Sequence, residues 1–213
     1  MNTDLQWLAL GLTVGLLVIY ESATAWRLRR GTPRLARSAH ASLREAWFAA
    51  VSQQKGSEIL AVQTLRNSLM SATMTASTAA LGLMGTLTLA APSLHDSVDA
   101  AAVVVPHLPA RLALELVLIG LLFSSLVASA MAVRYYNHAG FICGMPTESA
   151  ERQRWAAQGA AYVRRAGLLY GWGLRQLVLV APILAALLHP FAGPVAALAV
   201  IAVMAGFDRA AQP

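Results

Sequence analysis

Three stretches of this chain run for more than twenty residues with almost no charge, and that limits its fold more than any motif does. Leu69 to Ala91 contains no Asp, Glu, Lys or Arg; Leu112 to Val133 contains one acid, Glu115, near its start. Ala166 to Leu188 contains one base, Arg175. A helix that crosses the hydrocarbon core of a bilayer needs about 20 mostly apolar residues. Because lipid offers the backbone no hydrogen bonds, such a segment must satisfy its own peptide groups, as a helix does. Two shorter runs flank these three. Leu5 to Tyr20 carries Trp7 and Tyr20 at its ends as interfacial anchors. Phe191 to Phe207 follows the break at His189-Pro190 and contains Pro194. Proline interrupts a helix and restricts the residue before it, so runs four and five are expected to be separated by a turn. The expected fold is all-α: a polytopic transmembrane helical bundle forming one domain over residues 1–213. It has four to five spans at about 5–20, 69–91, 112–133, 166–188 and 191–207; in the four-span version the last run is a re-entrant or interfacial tail. Composition agrees: only 12% of residues are charged, about half the share in a soluble globular protein.

The basic residues are not spread evenly. Of the 16, all but Lys55 are arginine. Eight fall between runs one and two: Arg27, Arg29, Arg30, Arg34, Arg37, Arg44, Lys55 and Arg66. Six more, Arg134, Arg152, Arg154, Arg164, Arg165 and Arg175, follow run three. Only Arg111 and Arg209 lie elsewhere. By the positive-inside rule the segments 21–68 and 134–165 are expected in the cytoplasm and the N-terminus outside, in a bacterial-type inner membrane. Run one lacks a positive segment before it, although Ala23-Thr24-Ala25 resembles a cleavage site, so an uncleaved anchor is expected rather than a signal peptide. The net charge of +6 follows from this topology and implies no nucleic-acid partner.

The two cytoplasmic segments carry helical patterns. In 38–66, Leu43, Trp47 and Val51 recur at helical spacing, as do Ile59, Val62 and Arg66, with Gly56 the only breaker. The expectation is a helix along the membrane surface that either bends into run two or continues as one long helix. Its arginines would attract anionic lipid headgroups, or the helix would pack on a partner subunit. From Thr147 to Arg165, early Glu148 and Glu151 and late Arg164 and Arg165 suit a helix dipole. Pro92 to Ala110 is expected to be a solvated external loop; its His95, Asp96, Asp99 and His107 have no metal-ligand spacing. The single cysteine, Cys143, excludes an internal disulfide and reads as a buried thiol.

Two sets of residues inside or beside the runs stand out. Ser71, Thr75, Thr78 and Gly82 share one stripe of run two with Gly85, beside Ser77; Gly167 and Gly171 form a GxxxG pair. Small and hydroxyl residues let membrane helices approach closely, so these are candidates for helix packing, or alternatively for lining a solute path. Glu21, Arg66, Arg134, Asn137, His138 and Arg175 fall at one cytoplasmic level and predict a polar cluster, with Glu21 the expected carboxylate for Arg175 or Arg134. Arg175 also lies close enough to that surface to snorkel.

The stretch Gln63-Thr64-Leu65-Arg66-Asn67-Ser68, continuing to Ala76-Ser77-Thr78, resembles the second-helix signature of bacterial membrane proteins grouped as domain-of-unknown-function family 599. Arg134-Tyr135-Tyr136-Asn137, with Gly144 following, is similar to the R-x-x-N segment of that family, and Gly173-Leu174-Arg175 to its G-L-R segment. A paired Phe in the family is here Met74-Thr75, and an acid before the Gln is replaced at Leu60-Ala61, which marks a divergent member. The resemblance implies a helical bundle and no particular activity.

No glycine-rich phosphate loop, paired carboxylates at catalytic spacing or Ser/His/Asp set is evident. The five histidines lie on separate segments, and no cofactor or metal is implied; His138 alone sits near a span end where haem ligation would be conceivable. The expectation is a non-catalytic membrane bundle, self-associating as a homo-oligomer or serving other membrane subunits as an accessory. The alternative is a small channel or transporter for an ion or solute.

Overall fold

In a computed structural model of the chain, residues 3–29, 36–101 and 109–209 are described, with backbone alone at 3, 27–29, 36–39, 96–101 and 209. All the elements among them are helices: α1 (Thr3–Arg29), α2 (Ala36–Gln53), α3 (Glu58–Ala101), α4 (Ala110–Cys143), α5 (Ala150–Val178), α6 (Val180–Leu188) and α7 (Ala192–Arg209). α5 and α6 are separated only by Leu179, whose φ of −68° and ψ of −11° remain right-handed helical. Pro182 accounts for the interruption, since it has no N–H to give the carbonyl of Val178. Among the described residues four helical stretches are long and apolar enough to cross a membrane: Asp4–Trp26, Glu58–His95, Ala110–Cys143 and Ala150–Leu188. α7 is apolar but shorter.

The joints follow local chemistry. Gly56 has φ of +84° within the α2–α3 connection, a conformation that costs any residue with a Cβ. Beside it the Ser57 hydroxyl bonds the carbonyls of Val51 (2.8 Å) and Gln54 (2.6 Å). At the start of α5 the Ser149 Oγ accepts the Arg152 N–H at 3.2 Å, an N-cap. The α6–α7 turn lies at His189-Pro190, where the sequence placed it; the His189 N–H bonds the Ala185 carbonyl at 2.9 Å.

α3 is the longest element. Its 44 residues measure about 66 Å at 1.5 Å per residue, about twice the hydrocarbon thickness of a bilayer. The amphipathic Ile59–Arg66 stretch therefore joins run two as one helix. At the other end α3 continues through Pro92 to Ala101, so the loop expected over 92–110 is helical in its first half; Pro92 removes only the one bond that its N–H would have made to Thr88. His95 and the backbone of Asp96 and Asp99 lie on this helix, while His107 lies outside the described residues.

The chain divides into two compact units, residues 1–32, 79–124 and 176–207 in the first and 33–78, 125–175 and 208–213 in the second. The core of the first is aliphatic: Leu17 of α1, Leu114, Leu118 and Leu122 of α4, Leu179 and Ile183, and Ala197 of α7. Thr13 of α1 meets α7 at Gly193, where an added Cβ would lie 2.5 Å from the Thr13 hydroxyl. The core of the second joins Phe48 of α2, Ala61, Leu65 and Ala72 of α3, Ala132, Tyr136, Ala139 and Cys143 of α4, and Val163 and Ala166 of α5.

Within this second unit α2 and α5 run antiparallel and interlock. Gly159 receives the ring tip of Phe48: an added Cβ would lie 2.3 Å from its Cζ. Two turns later Gly167 receives the Arg44 side chain, with Nη1 2.4 Å from such a Cβ. Arg164 pairs with Glu45 at 3.3 Å between them. Gly159, Val163 and Gly167 thus form one small-residue edge, spaced by four, against which α2 lies. Gly171, the other half of the expected GxxxG pair, meets nothing within 4 Å and is exposed.

Candidate functional site

Buried positions on α3 recur at alternating steps of four and three: Ala61, Leu65, Ser68, Ala72, Thr75, Ala79, Gly82 and Thr86, with Ser68 and Gly82 half-buried. This is the seam that packs inward. Thr75 and Gly82 belong to it, and Gly82 meets Leu122 closely. Ser71, Ser77 and Thr78 do not: all three are exposed. The hydroxyls of Ser71, Thr73, Thr75, Thr78, Thr86 and Thr88 each donate to the carbonyl four residues back, at 2.8–3.1 Å. They are satisfied within their own helix.

Of the residues expected to form one polar cluster, Arg66, Arg134 and Asn137 share one setting, while His138 and Arg175 have others. Arg66 of α3 and Asn137 of α4, both exposed, border one groove of about 280 Å³ together with Val62, Leu65, Leu69, Tyr136, Gly140 and Phe141. Arg134 lies one turn before Asn137 and is also exposed. His138 instead leans toward the Tyr162 ring at 5.6 Å, which in turn neighbours Tyr135 at 5.6 Å. Arg175 does not reach outward: it is 5% exposed and its Nη1 lies 3.1 Å from the Asp208 carboxylate of α7. Asp208 was not among the expected residues, because an acid just past the last apolar run reads as a solvated end. Glu21 lies half-buried on α1, in the first unit.

Around Arg175 the helices approach closely. The Ser125 hydroxyl donates to the Gly173 carbonyl at 2.8 Å, and a Cβ on Gly173 would lie 2.6 Å from Ser129 Oγ. Small residues at these positions bring α4 and α5 together and set the depth of the Arg175 side chain.

A second buried arginine was missed altogether. Arg152 reads as a wet-face residue in a polar stretch, yet it is 1% exposed. Its Nη1 bonds the Ile142 carbonyl at the end of α4, its Nη2 the Ser52 hydroxyl of α2 at 3.2 Å, and its guanidinium lies 5.7 Å from the Phe48 ring centroid. It thereby caps the negative end of the α4 dipole and ties three helices together. Nearby, Glu58 at the first residue of α3 accepts from the N–H and hydroxyl of Thr147, both at 3.2 Å. Its own backbone N–H and that of Thr147 hold its carboxyl below the ordinary carboxylate range. Lys55 pairs with Glu148 at 2.9 Å on the exposed side of the same joint. In the first unit Glu115 is 5% exposed; one oxygen accepts from Arg111 at 3.1 Å and the other is buried with no partner among the described residues. Among the described residues no three His, Cys, Asp or Glu converge as metal ligands.

These features define an all-helical protein with four stretches fit to cross a membrane and arginines set at helix ends and between helices. The chain belongs to the family described as protein of unknown function, DUF599, whose model matches residues 8–213. No curated protein and no solved structure matches it. The segments that carried the resemblance contribute Leu65 and Arg66, and Tyr136 and Asn137, to the same groove.

Proposed function

We propose that this protein is an integral inner-membrane bundle that works by association, as a self-associating protein or an accessory subunit of a membrane complex, with the segments 21–68 and 134–165 in the cytoplasm. The observation that carries this is a second stripe on α3. Leu60, Thr64, Asn67, Ser71, Met74, Thr78, Leu81, Gly85 and Thr88 recur at steps of four and three, like the buried seam, but all are exposed. Of the six within run two, from Ser71 to Thr88, four are small or polar. Lipid contact favours large aliphatic residues and gains nothing from Asn, Ser, Thr and Gly, whereas a second helix approaches most closely over them. That the hydroxyls are already bonded to their own backbone supports packing over a hydroxyl-lined solute path.

Energy transfer between donor- and acceptor-labelled copies in vesicles tests self-association, and native mass spectrometry of protein drawn from its own membrane tests for other subunits. Ser71→Leu with Gly85→Leu is expected to abolish whichever association is found while leaving the melting temperature unchanged. A protein monomeric in both assays, or an association indifferent to the double substitution, would refute the reading.

A further inference from the structure

We infer that the groove between α3 and α4 beside Arg66 and Asn137 holds the headgroup of an anionic phospholipid. This rests on the membrane reading above but not on association. At 100° per residue, Arg66 and Leu69 lie on one flank of the buried α3 seam, and Thr64, Ser71 and Thr78 on the other.

The placement of charge comes first. Arg66 stands three residues before the uncharged run Leu69–Ala91, and Arg134 directly after the run Leu112–Val133. Because α3 and α4 meet here in opposite directions, both guanidiniums sit where apolar helix gives way to polar helix, the depth at which lipid phosphates lie. Among the described residues neither arginine forms an ion pair with a carboxylate, in contrast to Arg111, Arg164 and Arg175. Their charge is available to an outside anion.

The shape comes second. The groove measures about 280 Å³, near the lower bound of about 300 Å³ for a small-molecule pocket. That accommodates a phosphate with its glycerol, while acyl chains stay in the bilayer. Its walls are Leu65, Leu69 and the exposed ring of Phe141, and Gly140 meets nothing within 4 Å, which leaves the floor open. Polar donors and apolar walls stand side by side in the groove, as an amphipathic anion requires. Arg66 supplies a planar fork for two phosphate oxygens, and the Asn137 amide supplies a further donor.

The test uses the full-length protein, delipidated in mild detergent and titrated with phosphatidylglycerol or phosphatidylcholine under native mass spectrometry. Wild type should retain phosphatidylglycerol preferentially. Arg66→Gln should weaken it by about tenfold, the effect of losing one charged hydrogen bond. Asn137→Ala should give a smaller loss in the same direction, and Arg154→Gln, an exposed arginine of α5 outside the groove, none. Should Arg66→Gln prove unstable, Asn137→Ala carries the comparison. Equal retention of the two lipids, equal binding by wild type and both groove variants, or displacement of the lipid by millimolar inorganic phosphate would overturn the assignment. Failure of association in the preceding experiment, with lipid selectivity intact, would leave this site standing.

Discussion

Replacing Gly159 by alanine tests the interlock between α2 and α5. The new methyl would lie 2.3, 2.9 and 3.1 Å from Cζ, Cε1 and Cε2 of Phe48, against an ordinary carbon–carbon contact of about 3.5–4.0 Å. The ring is 1% exposed, so it must shift within its buried setting to relieve the clash. Overpacking of this kind costs about 1–3 kcal/mol. Alanine also raises helix propensity by about 1 kcal/mol, which would obscure the effect in a single variant. Gly171→Ala, on the same helix and with nothing within 4 Å, shares that gain without the clash. The difference between the two variants should therefore be about 1–3 kcal/mol, with Gly159→Ala the less stable. Equilibrium unfolding in mixed detergent micelles measures it. A cycle with Phe48→Ala adds a second reading: that substitution alone removes about 3–5 kcal/mol, and should remove less once Gly159 is alanine, because the clash disappears with the ring. Equal stability of the two alanine variants, or an unchanged Phe48→Ala effect, would refute the interlock.

Two further outcomes follow from the buried arginines. Asp208→Asn should lower stability by about 1.5–3 kcal/mol, since it weakens a charged hydrogen bond to the buried Arg175, and Arg175→Leu should also be destabilising; unfolding of the Arg175→Leu/Asp208→Leu double variant should show a loss smaller than the sum. Arg152→Gln should lower stability by about 1.5–3 kcal/mol and raise hydrogen exchange at the C-terminal turn of α4; exchange unchanged there would remove its role as a cap.

Much of the helical framework was legible because lipid sets a length scale that charge-free runs display openly. Gly56 and His189-Pro190 announced their joints for local reasons, a positive φ and a missing N–H. What stayed hidden was phase and partner. Gly167 and Gly171 have the right spacing, but Gly171 points to open space, and the true mate of Gly167 is Gly159, two turns earlier in a polar stretch. The edge Gly159, Val163, Gly167 was a signal that period-four counting could have found. Arg152 escaped because its acceptors, Ser52 and the Ile142 carbonyl, lie on α2 and α4 and are uncharged. Asp208 escaped because proximity to the chain end masked a contact with Arg175, which stands two helices earlier on α5.

The manner in which α2 is held has a consequence for solution conditions. The fasteners at its far end, Lys55 with Glu148, are more than 70% exposed, and such pairs contribute about 0–1 kcal/mol and fade as salt rises. Salt screens the half-exposed Arg164–Glu45 pair as well, but the hold at Phe48 and Gly159 is steric and apolar and persists. α2 should therefore behave as a shutter on a mechanical catch: high ionic strength loosens its corner without letting it swing.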